Sequence, residues 1–163
     1  MGLVRPILLK RINNEIDNLN EYLELTIGNI PDSVEFPIIL SIYLSNAPAR
    51  ASRDAEIRRH RFDLVISSDY PFERPRAKWK TRIFHPNIMS PGDGGLVCVK
   101  SLDNWHFGSD LTSFVMSIES LLMEPNPNNP YGTGSCIEAA RWYISNKPKF
   151  SAQVSYGDKL CLR

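Results

Sequence analysis

Cys98 is the residue whose type and setting point most directly to covalent chemistry, and it has companions. His85, Pro86 and Asn87 precede it, and Cys98 follows Asn87 by eleven residues across the loop Met89-Ser-Pro-Gly-Asp-Gly-Gly95. A cysteine attacks as its thiolate, and an unperturbed thiol has a pKa of about 8.5. A side-chain amide such as that of Asn87 is a neutral donor. It can steady the oxyanion formed when a thioester carbonyl is attacked, or it can brace the loop that carries the cysteine. His85, held between Phe84 and Pro86, reads as a structural imidazole bonded to the same loop. Cys98 itself lies between two valines, where a cysteine is most often a small buried hydrophobe. Gly94 and Gly95 allow unusual dihedrals and a close approach by another chain. A cysteine hydrolase would need a histidine base within hydrogen-bond reach. His60, His85 and His106 are the candidates, and the sequence places none of them beside the sulfur.

The elements that must position these residues can be read from periodicity. Leu8, Ile12, Ile16, Leu19 and Leu23 recur at three- and four-residue steps and predict an amphipathic helix, with Pro6 in its first turn. Four strand-like segments follow: Tyr22–Ile27, Phe36–Ser45, Arg61–Ser67 and Ala77–Phe84. Modest connections between them predict an antiparallel meander. The segment 46–61 reads as a charged, Arg-rich loop. Pro71 and Pro75 exclude a central strand and predict a rigid turn that presents Tyr70 and Phe72. Asp110 is an apt N-cap for a helix carrying Leu111, Phe114, Val115, Ile118, Leu121 and Leu122, which Glu-Pro-Asn-Pro-Asn-Asn-Pro ends abruptly. Segments 135–146 and 147–160 predict two more helices. The expectation is an α+β fold: N-terminal helix, four-stranded antiparallel meander, active-site loop, then two to three C-terminal helices.

Composition narrows the classes. With 163 residues, 42% apolar, the chain is long enough for one cored domain, expected over residues 1–163. A net charge of +1 gives no global bias toward nucleic acid or a membrane surface. Three cysteines, Cys98, Cys136 and Cys161, form neither a disulfide framework nor a zinc knuckle. No metal or organic cofactor is indicated. No apolar run approaches the roughly 20 residues that span a bilayer, and the start of the chain resembles no signal peptide. A cytoplasmic protein is expected, with the nucleus open if the source is eukaryotic.

Taken together, Tyr-Pro-Phe-Glu-Arg-Pro, Phe-His-Pro-Asn-Ile, a cysteine after a Gly-containing loop, Asn-Trp, and Ser-Ile-Glu-Ser-Leu-Leu-Met-Glu-Pro-Asn-Pro-Asn-Asn-Pro resemble ubiquitin-conjugating enzymes in order and approximate spacing. The resemblance covers roughly residues 5 to 155. It implies that Cys98 accepts a ubiquitin-like protein from an activating enzyme as a thioester. A lysine amine of a protein substrate, or a ligase cysteine, would then attack that thioester. Asn87 corresponds to the family's catalytic asparagine, and His85, with Pro86, to its structural companions. By position, Lys10 and Arg11 match basic residues that meet the activating enzyme. Phe72 and the loop from Trp105 through Phe107 to Gly108 match the surface shared with RING-type ligases. Met116 and Ser120 match positions where the donor modifier folds back.

There are departures. The loop between Asn87 and Cys98 is longer than is usual in that family, which brings Asp93 close in sequence as a local acid or a turn residue. Asn129 stands where many relatives carry an aspartate that orients the lysine. It keeps an acceptor but loses the charge, so direct transfer is expected to be slower unless another carboxylate substitutes. Two rival readings remain: a non-catalytic scaffold of the same fold that only binds the modifier, and a cysteine hydrolase with a Cys-His pair.

Overall fold

The first helix forms where its apolar spacing predicts. α1 runs Arg5–Leu23, and Leu8, Ile12, Ile16, Leu19 and Leu23 all lie on its buried face. The computed structural model describes residues 2–98 and 104–149 of the chain. Segment 22–27, expected as a strand, forms none. α1 continues through Leu23 and stops at Glu24, whose φ of 56° is left-handed. The backbone beyond it finds its partners in α1's own side chains. Asn20 brackets Ile27, accepting from its N–H at 2.8 Å and donating to its carbonyl at 2.9 Å. Asn13 does the same for Ile30, at 2.7 and 3.2 Å. Side-chain amides therefore supply the bonds that a neighbouring strand would otherwise supply.

Among the described residues five strands follow: β1 (Ile38–Leu44), β2 (Ala49–Ser52), β3 (Ala55–Ile57), β4 (His60–Ile66) and β5 (Arg76–Trp79). β1, β4 and β5 form one antiparallel sheet in that order. β2 and β3 pair separately as a hairpin with a register irregularity between Arg50 and Ser52. The α+β order and the antiparallel meander thus stand, with the strands divided three and two instead of four in one sheet. The hairpin occupies the segment expected to be a charged loop. Its strands are short, and its charges pair: Arg58 with Glu56 at 3.0 Å, and Arg53 with Glu138 at 2.5 Å. The alternation that would have marked a strand is therefore hidden.

One face of the sheet makes the core. Ile38, Leu40, Ile42 and Leu44 of β1 and Phe62, Leu64 and Ile66 of β4 point inward. Trp79 is fully buried and stacks on Phe62 with ring centroids 5.3 Å apart. α2 (Leu111–Met123) starts on the predicted cap. Asp110 Oδ1 accepts from Ser113 N–H at 2.7 Å while Ser113 Oγ accepts from Asp110 N–H at 3.1 Å, a reciprocal capping box. Leu111, Phe114, Val115, Ile118 and Leu122 are buried, whereas Leu121 is only partly so. α3 (Gly134–Asn146) buries Cys136, Ala139, Ala140 and Tyr143. The further helix expected from residue 147 onward falls mostly outside the described residues.

Buried polar contacts fix α1 against the rest. Tyr22 donates its hydroxyl to Glu119 of α2 at 2.7 Å. Glu15 accepts from Arg11 Nε at 2.8 Å, from the Tyr70 hydroxyl, and from Leu111 N–H at 3.3 Å. Burial raises the Glu15 carboxyl above its usual range, and these donors oppose the rise. Tyr70 is thus turned fully inward, while its neighbour Phe72 is 56% exposed.

Candidate active site

His85 is 1% exposed and has both ring nitrogens engaged. Its Nδ1 accepts from Asn87 N–H at 3.0 Å, so the proton sits on Nε2, which donates to the Leu121 carbonyl at 3.0 Å. Burial holds its pKa down to about 3, which keeps the ring neutral. His85 is a strut between the loop and α2, as its flanking residues suggested.

Asn87 is 3% exposed, and its amide is fully committed. Nδ2 donates to the carbonyls of Asn126 at 3.0 Å and Asn129 at 3.2 Å, and Oδ1 accepts from Asn126 N–H at 2.8 Å. An amide nitrogen has two hydrogens, and both are used here. These bonds tie the segment after α2 to the strand-like run before Cys98. Tyr131 N–H donates to the Pro86 carbonyl at 3.0 Å and closes the same junction.

The long loop does not separate Asn87 from Cys98. Cys98 N–H donates to the Asn87 carbonyl at 2.9 Å, Ile88 bridges Val97, and Met89 N–H reaches the Leu96 carbonyl at 2.9 Å. The segment is a hairpin, and its extra residues lie at the tip, in a 3₁₀ turn at Pro91–Asp93. Asp93 is an exposed turn residue there. Gly94 and Gly95 turn the chain back with φ of 112° and 69°. At Gly95 the requirement is also steric. A Cβ there would lie 2.6 Å from the Trp79 carbonyl, and Trp79 N–H donates to the Gly95 carbonyl at 2.7 Å. The hairpin is thereby fastened to the end of β5.

Cys98 is partly exposed and opens on a cleft of about 230 Å³. One wall is Asn87 and Asn126; the other is the α2 stripe Ser117, Ser120, Leu121 and Glu124, spaced to share a helix face. Cys136 differs: it is fully buried, and burial pushes its thiol pKa up, which suits an inert packing role. Cys161 lies outside the described residues. Neither His60 nor His106 lines the cleft. His60 is buried with Nε2 on the Ala47 carbonyl at 2.7 Å, and His106 accepts from Gly108 N–H at 3.0 Å. The cysteine therefore has no histidine base beside it.

The remaining predicted positions fall in two other places. Phe72 and Phe107, 56% and 51% exposed, sit side by side with centroids 5.4 Å apart. Trp105 donates its indole N–H to the Pro71 carbonyl at 2.7 Å and packs its ring against Tyr70 and Phe114. Arg11 is drawn into this patch. Its guanidinium donates to the carbonyls of Phe107 at 2.6 Å and Ser109 at 2.9 Å and lies 4.7 Å from the Phe107 ring centre. Lys10 is exposed, Met116 packs partly against the core, and Ser120 is exposed at the cleft. Asn129 is exposed and contributes its carbonyl to Asn87, but it does not line the cleft. Two contributions escaped the sequence reading. The backbone of Asn126 was not expected, and nothing in the sequence signals it. Glu124 was legible: it continues the Ser117, Ser120 and Leu121 face by helical spacing.

The family model described as "Ubiquitin-conjugating enzyme" matches residues 56–157. A curated relative, ubiquitin-conjugating enzyme E2 21 of Caenorhabditis elegans, is 37% identical over 92 residues. That alignment takes in 56% of this chain and 40% of the relative, so the match spans about two fifths of that relative's length. Among solved structures, the E2 domain of a Toxoplasma gondii ubiquitin conjugating enzyme superposes with a TM-score of 0.63 at 24% identity. It covers 85% of this chain and 88% of that one. A Plasmodium yoelii structure described as a ubiquitin conjugating enzyme gives 0.62 at 25% identity, covering 90% and 88%. The chain belongs to the ubiquitin-conjugating enzyme family.

Proposed function

We propose that residues 1–163 form one conjugating domain that carries ubiquitin or a ubiquitin-like protein on Cys98. The observation that carries this reading is the placement of Cys98. It is the partly exposed cysteine of the two described, it opens on a cleft, and it is bonded through its backbone to Asn87. In the first step the Cys98 thiolate attacks the thioester that joins the modifier to an activating enzyme. The activating enzyme's thiolate leaves, and one thioester replaces another at little net cost. No adjacent base is needed for that exchange. A strong base would also promote hydrolysis of the stored thioester, so a neutral, fully bonded His85 suits a carrier better than a hydrolase.

In the second step a substrate lysine amine attacks the carbonyl, the C–S bond breaks, and Cys98 returns to a thiolate. Asn87 and His85 act in both steps by holding the hairpin against α2. The Phe72–Phe107 patch, with Trp105 bonded to the neighbouring Pro71 carbonyl, offers exposed aromatic surface for the activating enzyme and a RING-type ligase. Lys10 adds an exposed charge on the adjoining helix. Ser120 and Met116 face the side on which the donor modifier would rest. Arg11 contributes by shaping the Phe107 loop from within.

The reading is tested by incubating the protein with ATP, activating enzymes and their modifiers, then resolving the products with and without reductant. A reductant-sensitive adduct that Cys98→Ala abolishes is expected. A folded protein that forms no adduct with any cognate pair would favour a binding scaffold instead.

A further inference from the structure

We propose that Glu124 is the carboxylate that receives the attacking amine in the Cys98 cleft. This inference rests on the reading of Cys98 as a thioester carrier. Among the described residues, Glu124 is the only acid lining that cleft. Its carboxylate makes no hydrogen bond or ion pair with any described residue, whereas Glu119 on α2 and Asp110 at its cap are consumed by Tyr22 and by the helix cap. Its backbone is fixed: Glu124 N–H donates to the Ser120 carbonyl at 2.8 Å, and Pro125 prevents the helix from continuing past it. The side chain therefore leaves the last turn of α2 from a defined point on the cleft wall.

The alternative position is unsuited. Asn129 does not line the cleft, its carbonyl is occupied by Asn87, and its amide carries no charge. A cleft of about 230 Å³ holds several water volumes and admits a lysine side chain. A carboxylate at its edge attracts the ammonium form. It accepts a hydrogen bond from the amine once that is neutral, and it takes the proton released as the N–C bond forms and the C–S bond breaks. The products are an amide, the Cys98 thiolate and a protonated Glu124, which returns its proton to water.

The test loads Cys98 by thiol exchange with a small-thiol thioester of a peptide ending in Gly-Gly, then follows single-turnover discharge. Free lysine and hydroxylamine are the nucleophiles, the latter already unprotonated at neutral pH. Glu124→Gln is expected to load normally. Its discharge to lysine should slow at least about tenfold, against the 10²–10⁴-fold typical of a positioned general base. Discharge to hydroxylamine should slow far less, because that amine arrives without the ammonium proton that Glu124 attracts and removes from lysine, and its weakly basic nitrogen loses its remaining proton readily to water. Adding Asn129→Asp to Glu124→Gln is expected to leave the defect unrepaired, because position 129 lies off the cleft. Equal discharge to lysine by wild type and Glu124→Gln would overturn the role of Glu124 while leaving the carrier reading intact. An equal slowing toward both nucleophiles would also overturn it, since that marks a structural effect. A folded wild-type protein that takes no thioester on Cys98 would overturn both.

Discussion

Replacing Asn87 by alanine separates the two roles open to this residue. The side chain makes three hydrogen bonds to the backbone after α2, at 3.0, 3.2 and 2.8 Å. A typical intramolecular hydrogen bond contributes about 1 kcal/mol net, and buried partners left unpaired cost more. Asn87→Ala strands the Asn126 N–H and two carbonyls, although water reaches some of them because Asn126 and Asn129 are exposed. The expected destabilisation is about 3 kcal/mol. With a urea m-value of about 2 kcal/mol/M, the unfolding midpoint should fall by about 1.5 M. Because the brace holds the hairpin that carries Cys98, loading and discharge should fall together, measured on protein kept well below its midpoint. The reasoning would be refuted by a midpoint within about 0.2 M of wild type combined with normal loading and a discharge defect of a hundredfold or more. That pattern belongs to a free oxyanion donor, which needs an amide hydrogen that the brace does not leave.

Three further perturbations follow from the same geometry. His85 is held neutral with a pKa of about 3, below the unfolded value of about 6.5, so unfolding takes up a proton in between. The stability it contributes is complete above pH 6.5 and declines by up to about 1.4 kcal/mol per pH unit as the pH falls toward 3; His85→Gln should flatten that slope in urea titrations from pH 7 to 4. Gly95→Ala forces a Cβ to 2.6 Å from the Trp79 carbonyl at a φ of 69°. A loss of more than about 2 kcal/mol is expected, or a displaced hairpin with poor loading, and a thermal melt beside a loading gel distinguishes the two. Phe72→Ala removes a ring that is 56% exposed, so stability should move by less than about 1 kcal/mol. Ligase-stimulated discharge should drop while unstimulated discharge is unchanged, and an equal drop in both would place Phe72 in the fold instead of the interface.

Much of the architecture was legible in the sequence because periodicity reports burial directly. The α1 stripe, strands within segments 36–45 and 61–67, and the Asp110 cap all form as predicted. What failed did so where a side chain overrides the local pattern. The apolar alternation of segment 22–27 predicts a strand, yet Asn13 and Asn20 satisfy the backbone that follows the helix. The Arg-rich segment hides a hairpin because its charges pair in space. At the site, Asn87 and Cys98 are joined across eleven residues by a backbone hydrogen bond that their spacing alone does not announce. The commitment of both Asn87 amide hydrogens depends on the backbone of Asn126 and Asn129, which no residue type announces. Arg11 likewise reads as a surface charge and is spent instead on Glu15 and the Phe107 loop.

The central claim is that Cys98 holds the modifier through its sulfur. Cys98→Ser tests it most directly, because an oxygen at the same place would form an ester in place of a thioester. The protein is incubated with ATP, the activating enzyme and the modifier, and its intact mass and the peptide spanning residue 98 are measured. The account predicts one modifier on wild type, released by reductant, and one on Cys98→Ser, resistant to reductant and released by base. Modifier attached elsewhere, or unchanged loading of Cys98→Ala, would contradict it.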